Sequence, residues 1–120
     1  MELPLLDSDE IPLPPEEVRF ASVRASPYPD RTRVRLDLKI TPFLERPNID
    51  ILIVDSAGEE AASARVIENL DPVLKLTLHL RPTGSPGPYT ARLALQYPDR
   101  EPVDRAEVTF HFDSAEDKGK

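Results

Sequence analysis

Between Arg33 and Thr41 every second residue is apolar: Val34, Leu36, Leu38 and Ile40 alternate with Arg33, Arg35, Asp37, Lys39 and Thr41. A period of two sends successive side chains to opposite faces, so the stretch predicts a half-buried strand. The same alternation runs through 73–81, where Leu74, Leu76, Leu78 and Leu80 face away from Lys75, Thr77, His79 and Arg81. It recurs in 89–97, on Tyr89, Ala91, Leu93, Leu95 and Tyr97, and in 106–112, on Val108, Phe110 and Phe112. Helical spacing would place charged residues such as Lys75 and Arg92 on the buried stripe. Prolines at 72, 82, 88 and 98 close these segments at strand length.

The other segments are less regular. Asn48 to Asp55 is nearly continuously apolar and predicts a strand, followed by a hairpin loop at Asp55 to Glu59 in which Gly58 supplies the positive φ that a short connection needs. A weaker strand is expected around Ala61 to Ile67. From Glu17 to Ala25 the apolar register changes midway, Val18 and Phe20 sharing one face and Val23 and Ala25 the other, which a bulge or a switch between sheets reconciles. The sum is an all-β chain of about seven strands, expected to form a two-sheet antiparallel sandwich.

The stretch from Leu78 through Leu80, Pro82, Gly87 and Tyr89 to Leu95 resembles the junction between the fifth and sixth strands of immunoglobulin-like and fibronectin-III-like domains. There a leucine, a proline two residues on, a glycine turn and an early tyrosine recur. The resemblance implies an immunoglobulin-like sandwich in which the Tyr89 hydroxyl bonds back to the corner backbone. The chain departs from the pattern in a longer Leu80–Tyr89 loop, in lacking tryptophan and in lacking the cysteine pair. The resemblance therefore implies an architecture and no particular member, and this architecture hosts many unrelated functions.

Charge is distributed unevenly along the 120 residues. Residues 1–17 hold Glu2, Asp7, Asp9, Glu10, Glu16 and Glu17 and no base, and residues 113–120 add one further net negative charge, which accounts for the whole formal charge of −7. The 95 residues between are neutral, so the acidity belongs to the ends. The expected organisation is an acidic, proline-rich tail at 1–15, a sandwich domain at 16–113 and a short tail at 114–120, with both tails disordered. No apolar run is long enough to span a bilayer, and the first residues lack the basic and apolar regions of a secretory signal, so the expectation is a cytoplasmic protein without membrane contact.

Candidate chemistry is sparse. The absence of cysteine removes thiolate reactions and cysteine-ligated metals. His79 and His111 fall on outward strand faces, in strands expected on opposite sheets. No nucleophile elbow, phosphate loop or calcium loop is present, so the expectation is a non-enzymatic chain without cofactor or metal. Nucleic-acid binding is not expected, because the aromatic residues lie mainly on buried strand faces.

What remains is a polarity between faces. In an immunoglobulin-like order the second and fifth strands are neighbours, so Arg33, Arg35, Lys39, Lys75, His79 and Arg81 are expected to share one exposed basic face interrupted by Asp37. The expected partner of that face is another protein, or the chain's own residues 2–17 with Leu3, Leu5, Leu6, Ile11 and Leu13 as apolar anchors. Strand addition along an exposed edge is a second route to a partner. A structural alternative is a weak homodimer through Leu52, Val54 and Ala94 on the opposite face, against a monomer in the first reading.

Overall fold

The computed structural model describes residues 11–82 and 88–112. Seven strands follow a short 3₁₀ turn at Pro15–Glu17: β1 Phe20–Pro27, β2 Arg33–Ile40, β3 Asn48–Val54, β4 Glu60–Val66, β5 Val73–His79, β6 Tyr89–Gln96 and β7 Asp104–Phe110. They form two antiparallel sheets, one in the order β1-β2-β5 and the other in the order β4-β3-β6-β7. The architecture is an all-β sandwich with the strand distribution of the immunoglobulin-like class. The fourth strand lies beside the third; in the constant-type arrangement it would join the sheet of the fifth.

The alternating positions meet where the sheets face each other. Val34, Leu36, Leu38 and Ile40 of β2 are at most 1% exposed, as are Ile49 and Ile53 of β3 and Ala91 and Leu95 of β6. Register keeps each set on one side: Leu36 lies between Ala25 and Leu76, and Ile51 between Ala64 and Leu93. Such paired inward rows supply the apolar burial that holds a sandwich together.

The register change expected in the first strand is a bulge. Thr41 N donates to Arg19 O at 2.9 Å, Phe20 lies opposite Ile40, and pairing resumes with Ser22 opposite Lys39, so Ala21 is the extra residue. The bulge lets Phe20, Val23 and Ala25 all turn toward the core. At the β3–β4 hairpin Gly58 takes φ +85°, and Asp55 Oδ1 accepts from the amides of Ala57 and Glu59, both at 2.9 Å.

Residues of the expected tail already pair with the sandwich. Leu13 N donates to Pro42 O at 3.0 Å, Leu44 N donates to Leu13 O at 2.9 Å, and Leu13 forms a parallel bridge with Phe43. Pro15 is buried and Val18 is fully enclosed. The two open sides of the sandwich differ. Beside β1 and β7, the Phe20 amide donates to Asp104 Oδ2 at 2.9 Å across the sheets. Beside β4 and β5 the sheets are bridged only toward their ends among the described residues, at one end by Arg81 N to Ala61 O at 2.8 Å.

Candidate interaction surface

The outward side of the β1-β2-β5 sheet is built in rows set by strand register. Ser22, Lys39 and Val73 form one row, Arg24, Asp37 and Lys75 the next, and Ser26, Arg35 and Thr77 a third, followed by Arg33 opposite His79. Neighbouring strands lie about 4.8 Å apart, so each three-residue row spans about 10 Å. Five of the six residues expected on one face therefore do share it: Arg33, Arg35, Lys39, Lys75 and His79.

Arg81 is not among them. Leu80 N still donates to Thr32 O within the first sheet, but the next amide, Arg81 N, donates to Ala61 O in the second. The chain changes sheets between these two residues. The Arg81 guanidinium follows, pairing with Glu60 at 3.0 Å. Outward alternation extrapolated past His79 fails because the strand has already ended. Arg24 takes the vacated role: β1 carries it into the central row, a placement that required knowing which strand flanks β2.

The cations on this face are not equivalent. Arg33 is spoken for by Asp30 at 2.8 Å and lies over the Tyr28 ring at 4.2 Å. The backbone amide of Thr32, and after it the Arg33 guanidinium, hold the Asp30 carboxyl below its ordinary range, against a smaller upward push from partial desolvation. Arg35 pairs with Asp37 at 3.2 Å. Among the described residues, Arg24, Lys39 and Lys75 have no carboxylate within ion-pair distance. These three border or adjoin a shallow depression of about 440 Å³ next to the half-exposed Val73. Five fixed cations against Asp30 and Asp37 leave this face positive.

The opposite face is smaller in apolar content than the sequence suggests. Val54 is only 5% exposed, although it lies opposite Thr90 with the outward parity of β6 and stays outside the core cluster. Leu52 and Ala94 remain, half-buried, in a depression of about 290 Å³ between the ion pairs Arg65–Asp50 and Arg92–Glu107. A third concavity, about 490 Å³, runs along the open β4–β5 side over Ala62, Ala64, Leu76 and Leu78, with His79 and Arg81 at its rim.

The corner at 83–87, on which the Tyr89 hydroxyl was expected to bond, lies outside the described residues. Tyr89 itself is a core ring, stacked on Phe110 with centroids 5.6 Å apart and meeting Phe112 edge-on. The tyrosine that ties a loop is Tyr97. His79 ends β5 and His111 lies just past β7 of the other sheet, and among the described residues no group of three His, Cys, Asp or Glu is placed to hold a metal ion. No described helix is long and apolar enough to cross a membrane.

No family model and no curated protein matches the chain. Solved structures do. A β-glucuronidase from Bifidobacterium dentium, complexed with coumarin-3-O-glucuronide, superposes at a TM-score of 0.56 with 14% identity over 79% of this chain and 18% of its own. One from Lactobacillus rhamnosus matches at 0.56 and 11% identity over 80% of this chain and 16% of its own. A glycosyl hydrolase family 2 member from Bacteroides cellulosilyticus matches at 0.57 and 12% identity, over 79% of this chain and 15% of its own. The chain thus spans less than a fifth of each of these proteins. At such identities the likeness concerns the fold of one sandwich portion.

Proposed function

We propose that this chain is a non-enzymatic protein-interaction module whose contact surface is the outward side of the β1-β2-β5 sheet. The observation that carries the reading is the uncompensated trio Arg24, Lys39 and Lys75 on one face, beside the exposed apolar Val73. Cations without local partners are free to pair with a partner's carboxylates, and an adjoining apolar residue adds the contact area that exposed charges lack. The expected partner is an acidic protein surface rather than nucleic acid. Tyr28, the aromatic ring nearest the face, is half-buried beneath Arg33 and offers no stacking platform.

The homodimer alternative is less well supported. With Val54 buried, Leu52 and Ala94 form a patch far below the roughly 800 Å² per partner of a standard interface. Its fence of ion pairs also disfavours close apposition of two identical copies.

The test is site-specific photo-crosslinking in cell extract, with a benzophenone side chain at Thr77 on the basic face or at Thr90 on the other sheet. Adducts from Thr77 that disappear when Arg24, Lys39 and Lys75 are all changed to Gln support the reading. Equal adducts from Thr90, or survival of the Thr77 adducts in the neutralised variant, overturn it. A reproducible stabilisation by a metal ion or nucleotide in thermal melts would overturn the non-enzymatic half.

A further inference from the structure

All five large apolar side chains exposed among the described residues lie at one end of the sandwich. Ile11 and Leu44 flank the Leu13–Phe43 bridge, Ile67 and Leu70 lie in the β4–β5 connection and Val73 opens β5, each 48–67% exposed. The other end, with the turns at 28–32 and 55–59, exposes none among the described residues. The two parts of the apolar end are close. Leu13 bonds Pro42, and Ile40, two residues before it, donates to Pro72 O at 2.8 Å. Hydrogen-bonded neighbours lie about 5 Å apart and extended chain rises about 3.3 Å per residue, so Leu13 and Val73 are within roughly 20 Å.

Residues 1–10 lie outside the described residues and join the sandwich at this end, through Ile11. They carry Leu3, Leu5 and Leu6, followed by Asp7, Asp9 and Glu10. Val73 has the matching arrangement: Ile67 and Leu70 precede it in the β4–β5 connection, while Lys39 stands opposite it and Lys75 follows two residues on. We propose that residues 3–10 fold back over the β4–β5 connection, with Leu3, Leu5 and Leu6 on Ile67, Leu70 and Val73 and the three carboxylates beside Lys39 and Lys75.

The reach is sufficient, since ten residues from Leu3 to Leu13 span up to about 33 Å. Attachment supplies an effective concentration on the order of millimolar, so weak contacts are enough. The site differs from the one the sequence alone suggests. Leu13, expected among the anchors on the basic sheet, is bound at the Phe43 corner, so the segment approaches the face from its Val73 edge. Docked there, it covers two of the three uncompensated cations, and an acidic partner must displace it. This regulation rests on the interaction reading, whereas the docking itself needs no partner and is tested without one.

The chain contains no cysteine, so a nitroxide on Ser8→Cys of the full chain is a unique label. Amide resonances of Lys39, Ile67, Leu70 and Val73 are expected to lose intensity, with Ala57 and Gly58 at the far end unaffected. Changing Leu3, Leu5 and Leu6 to Ser in the labelled chain is expected to restore them. Losses confined to 11–17 and 42–45 beside the attachment point, or losses insensitive to the serine changes, overturn the proposal. So does broadening of an unlabelled chain mixed with a labelled one, which would assign the contact to a second copy.

Discussion

The phenol of Tyr97 donates to the backbone carbonyl of Glu45 at 2.9 Å, joining residues 52 apart in the chain. The bond fastens the end of β6 to the connection between β2 and β3, the connection against which Leu13 also pairs. Burial, and then the nearby Glu45 carboxylate, push the Tyr97 hydroxyl up to about 12, partly offset by Arg100. A raised folded-state value means that the folded form keeps its proton while the unfolded form loses it. Stability from this group is therefore complete below the ordinary tyrosine value of 10 and drains away as pH rises toward 12.

Tyr97→Phe is accordingly expected to cost about 1–2 kcal/mol at neutral pH, because the Glu45 carbonyl loses its donor. Urea titrations compare the two proteins at pH 7 and again above pH 10. The gap should narrow at the higher pH, and the absorbance change from the phenol ionising near 12 should vanish in the variant. A gap that widens with pH would show that the hydroxyl is not held protonated by the fold.

Asp55 is expected to matter through geometry. It is 4% exposed, and one of its oxygens accepts from two hairpin amides at 2.9 Å. Asp55→Ala should cost about 1–3 kcal/mol, since two hairpin amides lose their charged acceptor. Asp55→Asn, which keeps a carbonyl oxygen in place, should recover most of this. Chemical denaturation of the two variants decides it, and equal losses in both would mean that the charge rather than the acceptor is what counts.

The strictly alternating strands were legible because their inward residues need no knowledge of a partner: Leu36 and Leu76 announce their face wherever they pair. The register change in the first strand was legible too, since Phe20 and Val23 have opposite parity, but sequence left a bulge and a switch between sheets as equal ways to reconcile it. Arg81 was misplaced because it sits past a strand end, and the alternation that identifies a strand does not mark its last regular residue. Val54 keeps its outward parity opposite Thr90 but is buried there, which alternation alone does not reveal. Arg24 went unnoticed because its role depends on β1 flanking β2, a fact of topology. Tyr97 carried no signal beyond its apolar parity, its hydrogen-bond partner being a loop carbonyl far away in sequence.

Neutralising Arg24, Lys39 and Lys75 together separates binding from folding. None of the three has an ion-pair partner among the described residues. The Gln variants should shift stability by no more than about 1 kcal/mol while removing the charge. Thermal melts check the first half and crosslinking the second. A large loss of stability would instead give these residues a structural role.

The amide of Phe20 donates to Asp104 Oδ2 at 2.9 Å, the side-chain bond that draws β1 toward β7. The bulge makes this contact available. With Ala21 inserted, pairing between β1 and β2 is interrupted at this point and the Phe20 amide turns to the other sheet. Asp104→Ala leaves that amide without its acceptor and is expected to cost about 1–3 kcal/mol. Loss of the carboxylate also frees the start of β1, so hydrogen exchange at Phe20 and Ser22 should accelerate well beyond that at Leu36 and Leu93 in the sheet centres. Asp104→Asn should restore part of the protection through its side-chain carbonyl. Uniform acceleration across both sheets would show that Asp104 stabilises the sandwich as a whole, and no acceleration at Phe20 would show that β1 is held by its pairing with β2 alone.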